Sequence, residues 1–164
     1  MLSFENAILV AWALAVALSD CRRRSIPNSL VLAGGLSALA FAAWRASPFD
    51  ITLESALLGT AAGFAALLPF YLLNMMGAAD IKLFAAVGAW CGPHALLGIW
   101  MAASLAAFVH ALILLARRIP IFQIRDFPAD TSAAEYRRSS TPFGALLACA
   151  VIAHLALHAL ENPS

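Results

Sequence analysis

No aspartate, glutamate, lysine or arginine occurs in five long stretches of the chain, 6–19, 25–44, 55–79, 83–116 and 139–160. These stretches make up most of the sequence, and 63% of all residues are hydrophobic while only 12% are charged. A water-soluble domain of 164 residues could not cover that much apolar surface with its remaining polar residues. The pattern excludes a soluble globular domain, a disordered chain and a disulfide-stabilised secreted scaffold. It predicts a multi-pass helical membrane protein.

The charge-free stretches predict six membrane helices. A helix needs about 20 apolar residues to span roughly 30 Å of hydrocarbon, and the pattern places helices at about 4–20, 28–45, 54–74, 80–91, 93–116 and 142–161, with a loop at 117–140. Gly92-Pro93 separates the fourth helix from the fifth, because proline cannot continue a helix and restricts the residue before it. The fourth helix, roughly 18 Å long at its standard rise per residue, is marginal for a full crossing.

The basic residues predict the orientation of this bundle. If all six helices cross and both termini lie outside, every lysine and arginine except Arg45 falls on the inner side, as the positive-inside rule requires. If the fourth helix only re-entered the membrane, the arginines of 117–140 would lie outside. The six-crossing arrangement is therefore favoured. The N-terminal stretch carries Glu5 and is followed directly by Arg22–Arg24, which predicts an anchor with its N-terminus outside and not a cleaved signal.

Two aspartates stand out among the nine acidic residues. Asp20 falls at the inner end of the first helix and Asp80 at the inner start of the fourth, so both are expected at the same membrane face. A charge that borders hydrocarbon is costly and suggests a functional site. The plainer interpretation makes Asp20 an ion-pair partner of Arg22–Arg24, and makes Asp80 a helix N-cap or a partner of Lys82.

The residues around these aspartates resemble three motifs of the type IV prepilin peptidases. The stretch 20–28 (DCRRRSIPN) resembles the family signature D-x5-I-P-N, 77–83 (GAADIKL) resembles G-x-G-D-x-K-L, and 142–145 (PFGA) resembles P-F-G-P. The motifs occur in the family's order on a six-helix frame, so the resemblance covers essentially the whole chain. The short length is most similar to the compact forms that serve Flp pili in tight-adherence systems.

The resemblance implies an all-α integral membrane peptidase, a six-helix bundle with a GxGD-type aspartyl protease site. Asp20 and Asp80 would be the catalytic residues. Candidate substrate-binding residues are Gly77, Lys82, Arg24 and Asn28. The plainer roles are contact with lipid headgroups for Lys82 and a topological signal for Arg22–Arg24.

The substrate that the resemblance implies is a prepilin, with a short basic leader followed by a hydrophobic helix. It would be cut at the cytoplasmic face of the bacterial inner membrane. Longer relatives carry an extra N-terminal cysteine-containing loop linked to methylation of the new N-terminus, so cleavage without methyl transfer is expected here. Membrane lipid is the other expected partner. No cofactor is expected, and the sequence does not fix the oligomeric state.

Two neighbouring carboxyls that share one proton can perform both halves of peptide hydrolysis. The ionised one takes a proton from the attacking water, while the protonated one polarises the scissile carbonyl and then helps the amine to leave. A helix N-terminus favours a negative charge and a helix C-terminus disfavours it. Helix direction therefore suggests Asp80 as the base and Asp20 as the acid. The positive charges of Arg22–Arg24 would instead favour the ionised form of Asp20.

Two positions depart from the family motifs. Ala79 replaces the second glycine of G-x-G-D, which would be unfavourable by roughly 1 kcal/mol if the backbone there needed a positive φ and harmless otherwise. Ala145 replaces the last proline of P-F-G-P. Two other functions stay open: a small transporter or assembly scaffold that uses Asp20 and Asp80 as an ion site, and an inactive relative that binds prepilin without cutting it.

No metal site or nucleic-acid surface is expected. His154 and His158 have the spacing of metal ligands on one helix face, but no third ligand is evident nearby and they fall towards the outer half of the last helix. Cys21, Cys91 and Cys149 form no CxxC motif. The formal net charge of +1 argues against a nucleic-acid partner, which requires a concentrated basic face.

Overall fold

The computed structural model describes residues 3–23, 25–118 and 143–161. The described ranges form five helices, α1 (Phe4–Arg23), α2 (Asn28–Ala43), α3 (Leu53–Leu72), α4 (Ala78–Arg118) and α5 (Phe143–Glu161). Four of them, α1, α3, α4 and α5, are long and apolar enough to cross a membrane, while α2 has 16 residues. This all-helical architecture agrees with the membrane-protein class that the sequence predicts. Arg24 and most of the predicted loop 117–140 lie outside the described residues.

Helix α4 is interrupted at Gly92, where the sequence predicts the end of a helix. Gly92 has φ 72° and ψ 174°, a conformation that an L side chain rarely adopts, and Pro93 follows it directly. The first arm of α4 (78–91) runs antiparallel to α3, because Gly88 lies against Gly59 and Gly92 lies beside Ser55 near the start of α3. Gly92 therefore marks the turn at the far end of this arm.

The second arm of α4 (93–118) runs back along α3. Its residues Leu96 and Trp100 line an apolar cleft together with Ala66 and Phe70 from the second half of α3. A straight helix would have carried these side chains past the start of α3 instead. The predicted fourth and fifth helices thus correspond to the two arms of α4, which Gly92 separates as the sequence predicts. The count of six membrane crossings stays a prediction.

The backbones of α3 and α4 are in direct contact at two glycines of α3. A Cβ atom on Gly59 would collide with the carbonyl group of Gly88, and one on Gly63 would lie 2.8 Å from the carbonyl oxygen of Phe84. Small residues allow this approach, which replaces side-chain packing by van der Waals contact between backbones. The pair fixes the position of the first arm of α4 and of Asp80 at its start.

Helix α1 packs against α5, and both enclose a core with the first arm of α4. Leu9 and Val16 of α1, Trp90 of α4, and Leu147 and Val151 of α5 are fully buried in it. The α1–α5 contact brings the C-terminal end of α1 next to the N-terminal end of α5. Since α1 continues three residues beyond Asp20, this aspartate lies in the last turn of the helix and not after it.

Candidate active site

Asp20 is a buried carboxyl at the junction of α1 and α5. Its side chain is only 9% exposed, and its Oδ2 atom accepts a hydrogen bond of 2.9 Å from the backbone N–H of Ala145. That N–H belongs to the first turn of α5, where helix geometry leaves backbone donors without partners. Asp20 therefore satisfies a donor of α5, and the bond fixes the orientation of the carboxyl.

Gly144 makes this contact between α1 and α5 possible. A Cβ atom at position 144 would lie 3.0 Å from Oδ2 of Asp20 and 2.6 Å from Cδ1 of Ile26. Ile26 is buried in the link between α1 and α2. Ile26 and Gly144 thus meet around Asp20, and a side chain at position 144 would push them apart.

Asp80 lies in the first turn of α4 and is partly buried. Its carboxylate accepts a hydrogen bond from the backbone of Gly77, and it lies near enough to Asp20 for the two carboxyls to interact electrostatically. The structure therefore brings together two acids from distant parts of the chain, as the sequence predicts. Their catalytic roles stay a prediction.

The plainer explanations for the two aspartates find no support in the described ranges. There, no ion pair joins Asp20 or Asp80 to a basic side chain. Asp80 is the third residue of α4 and so is not its N-cap residue, although its carboxylate accepts from the Gly77 backbone at the helix start. Lys82 contacts neither acid and instead donates from Nζ to Oδ1 of Asn28, at 3.2 Å. This bond links two of the predicted substrate-binding residues at the same end of the bundle.

Helix direction does not separate the roles of the two aspartates in the structure. Asp20 lies in the C-terminal turn of α1, whose partial negative charge disfavours an ionised carboxyl. The N-terminus of α5 faces Asp20 as well, through the N–H of Ala145. Two helix ends of opposite partial charge therefore act on Asp20, and helix direction no longer distinguishes the acid from the base.

Ala79 causes no backbone strain. It is the second residue of α4, in helical conformation, and in the part of the chain that the structure describes the non-glycine residues with positive φ are Arg45, Asp50 and Asn74. A glycine is therefore not required at position 79 by the backbone. The replacement of glycine by Ala79 therefore gives no structural reason to regard the protein as an inactive relative.

The two spaced histidines lie away from the aspartates. His154 stacks on the ring of Phe49 at 5.1 Å, and His158 meets the same ring edge-on at 5.4 Å. Phe49 belongs to the α2–α3 link, at the other end of the bundle. Within the described ranges, no group of three or more histidine, cysteine, aspartate or glutamate side chains could hold a metal ion.

The bond between Asp20 and the Ala145 N–H could not be predicted from the sequence. The resemblance of 142–145 (PFGA) to a family motif indicated that this region belongs to the site. The hydrogen-bond donor is a backbone N–H, however, and every residue except proline has one. The steric requirement at Gly144 also depends on Ile26, and only the packing of α1 against α5 brings the two together.

Comparison with known proteins places this chain in a family. Residues 7–112, which include Asp20 and Asp80, match the sequence model of the type IV leader peptidase family. The chain belongs to the type IV leader peptidase family. The match to this leader peptidase family covers α1 to α3 and most of α4, and ends before Gly144 and Ala145 of α5.

One curated relative is the "type 4 prepilin-like proteins leader peptide-processing enzyme" of Escherichia coli O78:H11 (strain H10407 / ETEC). It is 33% identical over 116 residues, which cover 65% of this chain and 41% of the relative. The chain thus matches about two fifths of the length of that leader peptide-processing enzyme. No solved structure matches the chain.

Proposed function

We propose that this protein is an aspartic endopeptidase that removes the basic leader of Flp-type prepilins at the cytoplasmic face of the bacterial inner membrane. The observation that carries the proposal is the meeting of Asp20 and Asp80, two carboxyls that interact electrostatically while neither has a basic partner in the described ranges. Membership of the leader peptidase family supports the same conclusion.

The reaction needs one ionised and one protonated carboxyl. The ionised aspartate accepts a proton from a water molecule, whose oxygen attacks the scissile carbonyl carbon. The protonated aspartate donates a hydrogen bond to the carbonyl oxygen, and a proton then passes to the leaving amine as the C–N bond breaks. Two close like charges cannot both ionise easily, and the proposed reaction requires that the pair hold one proton between them. The Ala145 N–H keeps Asp20 oriented throughout.

The location of the site suits a substrate with a basic leader. Asp20 is followed by Arg22 and Arg23, and Asp80 by Lys82, all exposed. The positive-inside rule assigns this end of the bundle to the cytoplasm, where the leader's own positive charges also hold it. The scissile bond, between the leader and the apolar helix, would then lie at the depth of the two carboxyls.

Lys82 and Asn28 are the best placed of the proposed substrate-binding residues. They are joined by a hydrogen bond, are both exposed and lie at the end of the bundle where α4 begins with Asp80 in its first turn. Their amide and ammonium groups can bind the backbone of an extended peptide. Gly77 holds the Asp80 carboxylate through its backbone and is proposed to position that acid. Arg24 lies outside the described residues, and its proposed role rests on the sequence alone.

Co-expression with a Flp-type prepilin tests the proposal. The intact chain is expected to convert the precursor to a smaller product, and Asp20→Asn or Asp80→Asn to abolish the conversion, a loss of at least about a hundredfold because neither acid alone can perform both proton transfers. Asp50→Asn is the matched control: Asp50 is exposed, lies in the α2–α3 link, and has φ 51°, which asparagine tolerates.

Full processing by either active-site variant would contradict the proposal and would favour the ion-site alternative, which does not require cleavage. Loss of processing in Asp50→Asn as well would mean that general damage to the protein explains the result. The size shift is read by immunoblot, and the new N-terminus is read by mass spectrometry.

A further inference from the structure

The hydroxyl of Ser19 makes a hydrogen bond that leaves its own helix. Its Oγ donates to the backbone carbonyl oxygen of Ser25 at 2.9 Å. The hydroxyls of Ser37 and Thr60 instead donate to carbonyls three and four residues earlier in the same helix. Such a local bond is the usual one for a serine or threonine within a helix. Ser19 therefore links the C-terminal part of α1 to the segment that follows the helix.

This bond restrains the short link between α1 and α2. Ser25, Pro27 and Asn28 are exposed, while Ile26 is buried. The carbonyl group of Ser25 belongs to the same planar peptide unit as the N–H of Ile26. The bond from Ser19 therefore restrains the backbone from which the isoleucine side chain projects.

Ile26 and the carboxyl of Asp20 pack against the same point of α5. A Cβ atom on Gly144 would lie 2.6 Å from Cδ1 of Ile26 and 3.0 Å from Oδ2 of Asp20. The next residue, Ala145, donates its N–H to the same Oδ2 atom. A movement of Ile26 would therefore change the packing around the hydrogen bond that orients Asp20.

We propose that Ser19 is a positioning residue of the peptidase, which holds Ile26 against α5 and so keeps the carboxyl of Asp20 in its reacting orientation. The proposal rests on the function proposed above. The hydroxyl acts through the Ser25 carbonyl and Ile26 on the first turn of α5. The chain on both sides of Asp20 thus contributes to its orientation, α1 directly and the α1–α2 link through α5.

Kinetics of two matched serine variants test the proposal. Ser19 and Ser37 are both half-buried, and each donates at 2.9 Å to a backbone carbonyl oxygen, but the bond of Ser37 stays within α2. Ser19→Ala is expected to lower kcat for prepilin cleavage at least about fivefold and to change KM by less than about twofold, because the orientation of a reacting group is altered and the binding surface is not. Ser37→Ala is expected to match the unaltered protein in both constants. Ser19→Thr, which keeps the hydroxyl, is expected to retain most of kcat.

A double-mutant cycle tests the route through Ile26. Ile26→Ala removes the atoms that pack against Gly144 and is itself expected to lower kcat. If Ser19 acts through the isoleucine, Ser19→Ala should lower kcat by at most about a further twofold in the Ile26→Ala background, because residues that act through one another are not additive. Additive losses would show that the hydroxyl affects the reaction by another route, and would overturn the proposal.

Amide hydrogen exchange provides a second measurement that needs no substrate. Exchange rates report how readily a hydrogen-bonded segment opens. Ser19→Ala is expected to speed exchange at least about threefold in peptides that cover 25–31 and 143–147, and to leave exchange in α3 unchanged. Unchanged exchange in these two segments would contradict the proposal. Faster exchange throughout the protein, α3 included, would also contradict it, since the hydroxyl would then stabilise the whole fold.

The outcomes separate this inference from the proposed function. Failure of the unaltered protein to cleave the prepilin would overturn both. Cleavage by the unaltered protein, together with an unchanged kcat for Ser19→Ala, would overturn the positioning role alone. A rise in KM without a fall in kcat would also contradict that role, since the hydroxyl would then act on substrate binding and not on the orientation of Asp20.

Discussion

Asp20 illustrates how one backbone atom can organise a site. The carboxyl is buried, yet the bond that it makes in the described ranges is to a main-chain N–H, that of Ala145. A buried acid without a partner would cost several kcal/mol, and a basic partner would neutralise the charge that the proposed reaction uses. The N–H donor satisfies one oxygen of the carboxyl, and no hydrogen bond to the other oxygen is found in the described ranges. This residue-scale arrangement depends on the small size of Gly144.

Gly144→Ala is expected to damage catalysis more than folding. The added methyl group would lie 2.6 Å from Cδ1 of Ile26 and 3.0 Å from Oδ2 of Asp20, so the isoleucine must move and the carboxyl must shift away from Ala145. A displacement of about 1 Å in a catalytic group can cost about a hundredfold in rate. The double variant Gly144→Ala with Ile26→Val removes the nearest clashing atom and is expected to recover part of the rate. Prepilin cleavage by the purified variants measures both effects, and full activity in Gly144→Ala alone would contradict this account.

The helices show which parts of the fold can be predicted from the sequence. The end of a helix at Gly92-Pro93 was predictable, because proline and a glycine with positive φ act locally. Gly59 and Gly63 have the GxxxG spacing that is typical of close helix contacts, but the spacing does not show which helix is the partner. Its partner Gly88 is identified only when α4 packs against α3. The same limit applies to the site, where the two aspartates were predictable and the contribution of α5 to Asp20 was not.

The contact between α3 and α4 predicts a large effect of a small substitution. Gly59→Ala places a methyl group on the carbonyl of Gly88, and neither backbone can rotate away, so the helices must separate. Overpacking of this kind costs about 1–3 kcal/mol. Thermal unfolding in detergent should show a lower Tm for Gly59→Ala, whereas Gly98→Ala, with open space around it, should not lower the Tm. Equal Tm values for the two variants would mean that the α3–α4 contact is looser than described.

The packing of the helices brings the candidate site to one end of the bundle, and this end also carries basic residues. Asp20, Asp80 and the start of α5 lie at the end that carries Arg22, Arg23 and Lys82, and Phe49 and His154 mark the other. In the proposed orientation, which follows the positive-inside rule, the acids would lie at the cytoplasmic face. The two arms of α4 are consistent with this orientation, because the second arm returns the chain to the end at which the first arm begins.

Cysteine labelling measures this orientation. Cys21 is exposed beside Asp20, while Cys91 is buried. In a variant with Cys149→Ala, a membrane-impermeant maleimide is expected to label Cys21 in inverted inner-membrane vesicles and not in intact spheroplasts. A cysteine introduced by Asp50→Cys, in the exposed α2–α3 link, should label with the opposite preference. Labelling of Cys21 from the periplasmic side would reverse the proposed topology.

The most direct test of the shared-proton pair is the pH dependence of prepilin cleavage by the purified protein. Because the reaction needs one ionised and one protonated aspartate, kcat should follow a bell-shaped curve, falling at low pH as the base is protonated and at high pH as the acid is ionised. Asp20→Asn and Asp80→Asn should each abolish turnover over the whole range, while Asp50→Asn keeps the bell shape. A profile without two limbs, or measurable turnover close to that of the unaltered protein in either active-site variant, would contradict a mechanism in which Asp20 and Asp80 act together.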